Sequence, residues 1–221
     1  MRRKLAIIHT TPVTIDALKK LVQEAMPDVD IVNFLDDSIL PELYDNGGNV
    51  RAVEERWFQY VQIADKLGAD CILSACSSVG ELAWKARTLV SKPVLRIDEP
   101  MAMEAVETAR VIGVAATLPT TLRPTEGLLK RKAEEAGKDI VLHSLLADEA
   151  YQRLMQGDVD GHDKVLADKL TELTQSVDVV VLAQASMARV IPRLPEQLQV
   201  KVLASPKRGI EHVRRVLETL G

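Results

Sequence analysis

The residues best able to do chemistry lie in the run Asp70-Cys71-Ile72-Leu73-Ser74-Ala75-Cys76-Ser77-Ser78-Val79-Gly80. Cys71 falls inside an apolar run that reads as a buried strand, where a free cysteine serves as a small apolar side chain. Cys76 falls where that run stops and a helical pattern opens with two serines and a glycine. A thiol at the carboxyl end of a strand and beside the amino end of a helix is expected to gain thiolate character, from the dipole and from free backbone N–H groups. A thiolate serves as base, nucleophile or metal ligand. No Cys/His cluster of suitable spacing accompanies it, which argues against a metal. Cys76 is therefore the leading catalytic candidate, expected to react with iodoacetamide well below the pH at which a free thiol does.

A second passage, Asp178-Val179-Val180-Val181-Leu182-Ala183-Gln184-Ala185-Ser186-Met187, repeats the pattern 108 residues later with Gln184 in the place of the cysteine. The same offset brings Asp70 onto Asp178, Ala75 onto Ala183, Ser78 onto Ser186 and Val94-Leu95 onto Val202-Leu203. One residue less of offset brings Thr10-Thr11-Pro12-Val13-Thr14 onto Thr117-Leu118-Pro119-Thr120-Thr121. Agreement at equivalent stations argues for duplication of one unit. Open α/β units bind ligands beyond the carboxyl ends of their strands. Four loops, 9–14, 74–80, 117–122 and 183–188, are thus expected to converge on a shared cleft.

The hydroxyls in those loops suggest the ligand. Hydroxyl and N–H groups at helix starts grip anions without a buried positive charge. Thr10, Thr11, Thr14, Thr117, Thr120 and Thr121, with Ser77, Ser78 and Ser186, are candidates to hold a carboxylate; each is also an ordinary helix-capping type. His9 ends the first strand, and histidine is the usual proton carrier near neutral pH, so it is the second catalytic candidate. His143, His162 and His212 have no comparable setting. Arg96 and Arg123 are read as partners of a second substrate carboxylate or as salt-bridge residues. Asn46-Gly47-Gly48-Asn49 reads as a turn or lid.

These residues must be carried by an α/β scaffold. Strand patterns cover 5–9, 30–34, 71–75 and 94–97, then 111–116, 140–145, 179–183 and 201–204. Helical patterns cover 14–25, 50–66, 79–89, 121–136, 161–176 and 207–220, and 100–108 reads as a linking helix. Short apolar runs alternating with helices indicate parallel sheets of βαβ units. The 221 residues, 47% hydrophobic and 27% charged, suit one large or two small globular domains. A net charge of −4 with scattered Lys and Arg offers no nucleic-acid stripe. No apolar run approaches membrane or signal-peptide length, and two closely spaced cysteines make a poor disulfide framework, so a reducing cytoplasm is expected.

On Ser74-Ala75-Cys76-Ser77-Ser78, Ala115-Ala116-Thr117-Leu118-Pro119-Thr120-Thr121 and Val181-Leu182-Ala183-Gln184-Ala185-Ser186-Met187, the chain resembles the aspartate/glutamate racemase superfamily, over nearly its whole length. That superfamily includes hydantoin racemase, maleate isomerase and arylmalonate decarboxylase. The resemblance implies two flavodoxin-like parallel-sheet halves with pseudo-twofold symmetry, divided as 1–99 plus 207–221 and 100–206. It implies a small-molecule carboxylate substrate, no metal or pyridoxal phosphate, and a homodimer or higher homo-oligomer. In two-base racemases one cysteine removes the α-proton and another returns it. Cys76 matches the first; Gln184 stands at the second, and an amide cannot shuttle protons. Three routes remain: a racemase or isomerase with another second group such as His9, a decarboxylase in which Cys76 protonates the enolate, or covalent addition of Cys76 to substrate. In each, Gln184 stabilises developing charge. A carboxylate-binding module without turnover is the competing class.

Overall fold

A computed structural model describes residues 2–220. The chain divides into two compact units, residues Met1–Glu99 with Pro206–Gly221, and Pro100–Ser205. In the first unit the order is β1 (Lys4–His9), α1 (Ile15–Ala25), β2 (Asp30–Leu35), α2 (Ile39–Asp45), α3 (Arg51–Lys66), β3 (Cys71–Ser74), α4 (Gly80–Ala86) and β4 (Val94–Arg96). The second unit carries most of α5 (Glu99–Thr108), then β5 (Val111–Ala116), α6 (Pro119–Ala136), β6 (Val141–Leu146), α7 (Asp148–Met155), α8 (Val159–Leu173), β7 (Val179–Leu182), α9 (Glu196–Gln199) and β8 (Val202–Leu203). Then α10 (Ser205–Thr219) returns to the first.

Both sheets are parallel throughout, in the orders β2-β1-β3-β4 and β6-β5-β7-β8. A central parallel strand is covered on both faces and so reads as an unbroken apolar run. The β1 sequence obeys this: Leu5 and Ile7 pack with Leu18 and Val22 of α1 and Ile210, Val213 and Leu217 of α10. Ala6 and Ile8 point the other way, onto Val53, Trp57 and Val61 of α3 and Leu82 and Ala83 of α4. In the second unit, Ala115, Val180 and Leu182 pack with Leu166 and Leu170 of α8.

The repeat extends to individual hydrogen bonds. Asp70 N–H donates to the Lys4 carbonyl at 2.8 Å while its carboxylate accepts from Lys4 N–H at 2.8 Å. Asp178 and Val111 make the same reciprocal pair, at 2.8 Å each way. Each aspartate thus starts its strand by satisfying a neighbouring strand's first N–H.

The helical pattern over 79–89 resolves into a 3-10 turn, Ser77–Val79, and the seven-residue α4. The short helices α2 and α7 fall where no pattern was legible, and the stretch after Gln184 is 3-10 over Ala185–Arg193 rather than open loop. Asn46 closes the 46–49 turn, its side-chain oxygen accepting from Asn49 N–H at 2.7 Å. Among the described residues no helix is long and apolar enough to cross a membrane.

Candidate active site

Cys76 is held by backbone pairing that outlasts its strand. Ala75 N–H donates to the Ile8 carbonyl at 3.0 Å, and Ile97 N–H donates to the Ser74 carbonyl at 3.1 Å. Cys76 follows in extended conformation (φ −132°, ψ 123°) and leads directly into the 3-10 turn. Cys71 is fully buried and its thiol is pushed up to about 12, which makes it inert. Cys76 retains partial exposure.

Four donors act on the sulfur of Cys76. The hydroxyls of Thr10 and Ser78 and the N–H groups of Ser78 and Val79 all lower its pKa, yet burial outweighs them and the thiol titrates above its ordinary value. This corrects the expectation of a resting thiolate. The physical reason is burial: removing the sulfur from water disfavours the charged form by more than the four donors favour it. Thr10, Ser74 and Ser78 are each at most 2% exposed, and their hydroxyls have no nitrogen or oxygen partner. Buried hydroxyls are rarely left so. Those of Thr10 and Ser78 are the two that favour the thiolate of Cys76. Ser77 is buried beside them.

The second unit repeats this corner with different chemistry. Ala183 N–H donates to the Ala115 carbonyl at 2.8 Å, and Gln184 follows in the same extended conformation (φ −124°, ψ 134°). Thr117 stands where Thr10 stands in the first unit. Its N–H donates to Gln184 Oε1 at 2.7 Å, with its hydroxyl within 3.0 Å of the same oxygen. The backbone donor fixes the carboxamide orientation; Nε2 lies 2.9 Å from Thr117 Oγ1, and its second N–H is the remaining donor. Each unit therefore pairs a threonine at the end of its first strand with the residue just past its third: Thr10 with Cys76, Thr117 with Gln184.

His9 is the last residue of β1. It is fully buried; Nδ1 lies 2.8 Å from Thr14 Oγ1 and Nε2 lies 3.0 Å from Asn33 Oδ1. Burial, partly offset by Asn33, holds its pKa below the usual histidine value. A neutral ring with both nitrogens occupied ties β1 to β2 and to the following turn. Thr14 and Thr121 are likewise turn residues: the Thr14 hydroxyl donates to His9 Nδ1 and lies 3.3 Å from the Thr11 carbonyl, and the Thr121 hydroxyl donates to the Leu118 carbonyl at 2.9 Å. Thr11 and Thr120 are half-buried, and Ser186 is exposed. Neither half-buried threonine makes a side-chain bond that would spend its hydroxyl on a turn.

Arg96 is buried and its guanidinium is spent on Asp98, with Nε and Nη2 each 2.9 Å from a carboxylate oxygen. It stacks 4.4 Å from the Trp84 ring and passes over Gly80, where a Cβ would meet the guanidinium at 2.3 Å. Arg96 thus braces the start of α4 and hence the Cys76 turn; no sequence signal distinguished this from a ligand-facing arginine. Arg123 is exposed on α6. Among the described residues, no group of three or more His, Cys, Asp or Glu is arranged to hold a metal ion.

Residues 7–213 match the sequence profile of the family described as Asp/Glu/Hydantoin racemase. The fold is similar to that of a glutamate racemase from Francisella tularensis subsp. tularensis SCHU S4 solved with D-glutamate, at TM-score 0.76 and 14% identity over 99% of this chain and 82% of that one. It is also similar to the glutamate racemase from Aquifex pyrophilus (TM-score 0.66, 23% identity, 96% and 83% covered). The allantoin racemase from Klebsiella pneumoniae gives TM-score 0.66 and 16% identity, with 98% and 88% covered. At these identities the likeness speaks to the fold. No curated protein sequence gives a significant match.

Proposed function

We propose that this chain, which belongs to the Asp/Glu/hydantoin racemase family, is a racemase-type enzyme that works on a small carboxylate through one cysteine, Cys76, without a cofactor. The observation that carries the reading is the paired corner. Thr10 faces a thiol at one station, and Thr117 locks an amide at the equivalent station. An amide has no titratable proton at neutral pH, so two-thiol proton exchange is not available to this chain.

The raised thiol sets the direction of chemistry. Cys76 rests protonated; in the racemase reading its thiolate form takes the proton next to the carboxylate, the C–H electron pair staying on carbon, and the thiol so formed returns a proton to that carbanion. As the S–H bond breaks, the electron pair stays on sulfur. Thr10, Ser78 and the Val79 N–H then stabilise the thiolate, which recovers its proton from water. Thr10, Thr11, Ser77 and Ser78 in the first unit, and Thr117, Thr120, Gln184 and Ser186 in the second, are the residues proposed to donate to a carboxylate. The same protonated thiol favours a second reading, decarboxylation: the C–C bond to a carboxylate breaks, CO2 leaves, and Cys76 protonates the carbon that keeps the electron pair.

The test is hydrogen exchange at carbon. Aspartate, glutamate, allantoin and a 2-substituted malonate are each incubated with the protein in D2O and followed by proton NMR. Incorporation of deuterium next to a carboxyl or amide carbonyl supports the racemase reading, and CO2 release supports the lyase reading. Cys76→Ala is expected to lower either rate about 10²–10⁴-fold, the usual worth of a positioned acid or base. Labelling that survives Cys76→Ala sinks the assignment of Cys76, and binding without labelling or consumption favours a non-catalytic carboxylate binder.

A further inference from the structure

The 3-10 stretch Ala185–Arg193 is nine residues long, whereas such runs seldom exceed three or four. Pro192 removes one of its N–H donors. A stretch so poor in its own hydrogen bonding must be held by its surroundings. It begins at Gln184, whose carbonyl accepts from Met187 N–H at 3.1 Å. Met187, Val190 and Leu194 are buried in the cluster containing Leu166 and Leu170 of α8. Apolar contacts set how deep the stretch sits, but they are non-directional and leave rotation and sliding weakly specified.

The directional contact comes from α8. Asp163 and His162 are each 4% exposed. Asp163 Oδ1 accepts from Arg189 Nε at 3.0 Å and lies 2.7 Å from His162 Nδ1. Arg193 Nη2 lies 3.4 Å from Asp163 Oδ2 and 2.8 Å from Asp160 Oδ1. Arg189 Nη2 is also 3.2 Å from His162 Nδ1. A carboxylate only accepts, so His162 Nδ1 carries the proton that goes to Asp163, and the approach of Arg189 Nη2, a second donor, to Nδ1 is proximity. One buried carboxylate therefore collects two arginines, both on the stretch that follows Gln184. Neither arginine touches the carboxamide itself; the link is the backbone between them.

We propose that Asp163 is a positioning residue for Gln184: by fixing Arg189 and Arg193 it sets the 185–193 stretch, and with it the carboxamide that Thr117 holds. The effect on turnover rests on the reading of Gln184 as a ligand-binding donor. The effect on the carboxamide does not.

The probe is the side-chain 15N–1H pair of Gln184, assigned by its loss in Gln184→Asn. It is compared in the wild type, in Asp163→Asn and in Glu149→Gln, which removes the exposed Arg153 partner on α7. Asp163→Asn keeps the shape and removes the charge. In that variant the Gln184 pair is expected to move to the position of an exposed glutamine. Backbone N–H groups of 185–193 are expected to exchange at least tenfold faster, with 111–116 unchanged, and Glu149→Gln is expected to change neither. If Asp163→Asn loses protection over 111–116 as well, the double variant Arg189→Lys, Arg193→Lys is read in its place, since it keeps the charges and loses the guanidinium fork. A Gln184 pair that stays at its wild-type position in a folded variant overturns the proposal. Deuterium labelling of a substrate of the wild type should fall at least tenfold when the pair moves, and unchanged labelling overturns the positioning role. If the wild type labels none of the acids, the proposed function fails, and the Gln184 resonances alone decide the clamp.

Discussion

Burial and hydrogen bonding compete at Cys76, and their balance decides its protonation state. Burial is the larger, so the alkylation profile with iodoacetamide is expected to have its midpoint above that of a small free thiol. Thr10→Val removes a donor that favours the thiolate and should move the midpoint higher still; a profile at or below that of the free thiol would contradict the balance. His9 supplies a pH signature of its own. Its folded pKa lies below the unfolded value, so between the two the unfolded chain binds more protons and stability falls as pH drops. The fall begins near the unfolded histidine value of about 6.5 and ends below the folded one. His212 on α10 is lowered in the same sense, by burial first and then by Arg215. Urea midpoints at pH 7.5 and pH 5.5 should therefore differ, and less so in His9→Gln; an equal drop in the variant would remove His9 from the account. The position of Cys76 was legible in sequence because an apolar run breaks there into Ser-Ser and Gly. Its protonation and the neutrality of His9 were not legible, because they depend on burial and on partners as distant in sequence as Asn33.

Two glycines separate close approach from open space at the level of elements. At Gly80 a Cβ would meet the Arg96 guanidinium at 2.3 Å, and that guanidinium is pinned by Asp98 and Trp84. Gly80→Ala is expected to cost about 3 kcal/mol, at the upper end for overpacking, because nothing beside it is free to yield. At Gly127, inside α6, a Cβ meets nothing within 4 Å. Gly127→Ala should stabilise by about 0.5–1 kcal/mol through helix propensity and a less free unfolded chain. Chemical denaturation of the two variants checks both signs. Strand positions were readable because central parallel strands are uniformly apolar. The 185–193 stretch was not, since its anchors Met187, Val190 and Leu194 fall at i, i+3 and i+7, the spacing of an α-helix rather than of the 3-10 stretch they hold, and the carboxylate that holds it lies on another helix.

At the scale of the whole chain, the repeated strand order and the matching Asp70 and Asp178 pairs show one unit built twice, as the aligned motifs suggested. What the alignment did not reveal is the ion clustering of each unit, Arg96 with Asp98 in one and Asp163 with Arg189 in the other, because those pairs do not occupy aligned positions. Val213 of α10 is fully buried among Leu5, Ile7 and Leu73 of the first sheet. Val213→Asp places an unpaired charge there, a cost of several kcal/mol that rivals the stability of a domain. Amide protection over residues 4–9 and 71–74 should collapse while 111–116 and 179–182 keep theirs; equal loss in both sheets would show that the units do not unfold separately. The return of α10 also bears on biosynthesis. The ribosome finishes residues 100–205 before it makes the helix that covers one side of the first sheet. The usual order of a polypeptide folding from its leading end is then inverted, and the segment translated in the middle is the first able to close its own interior.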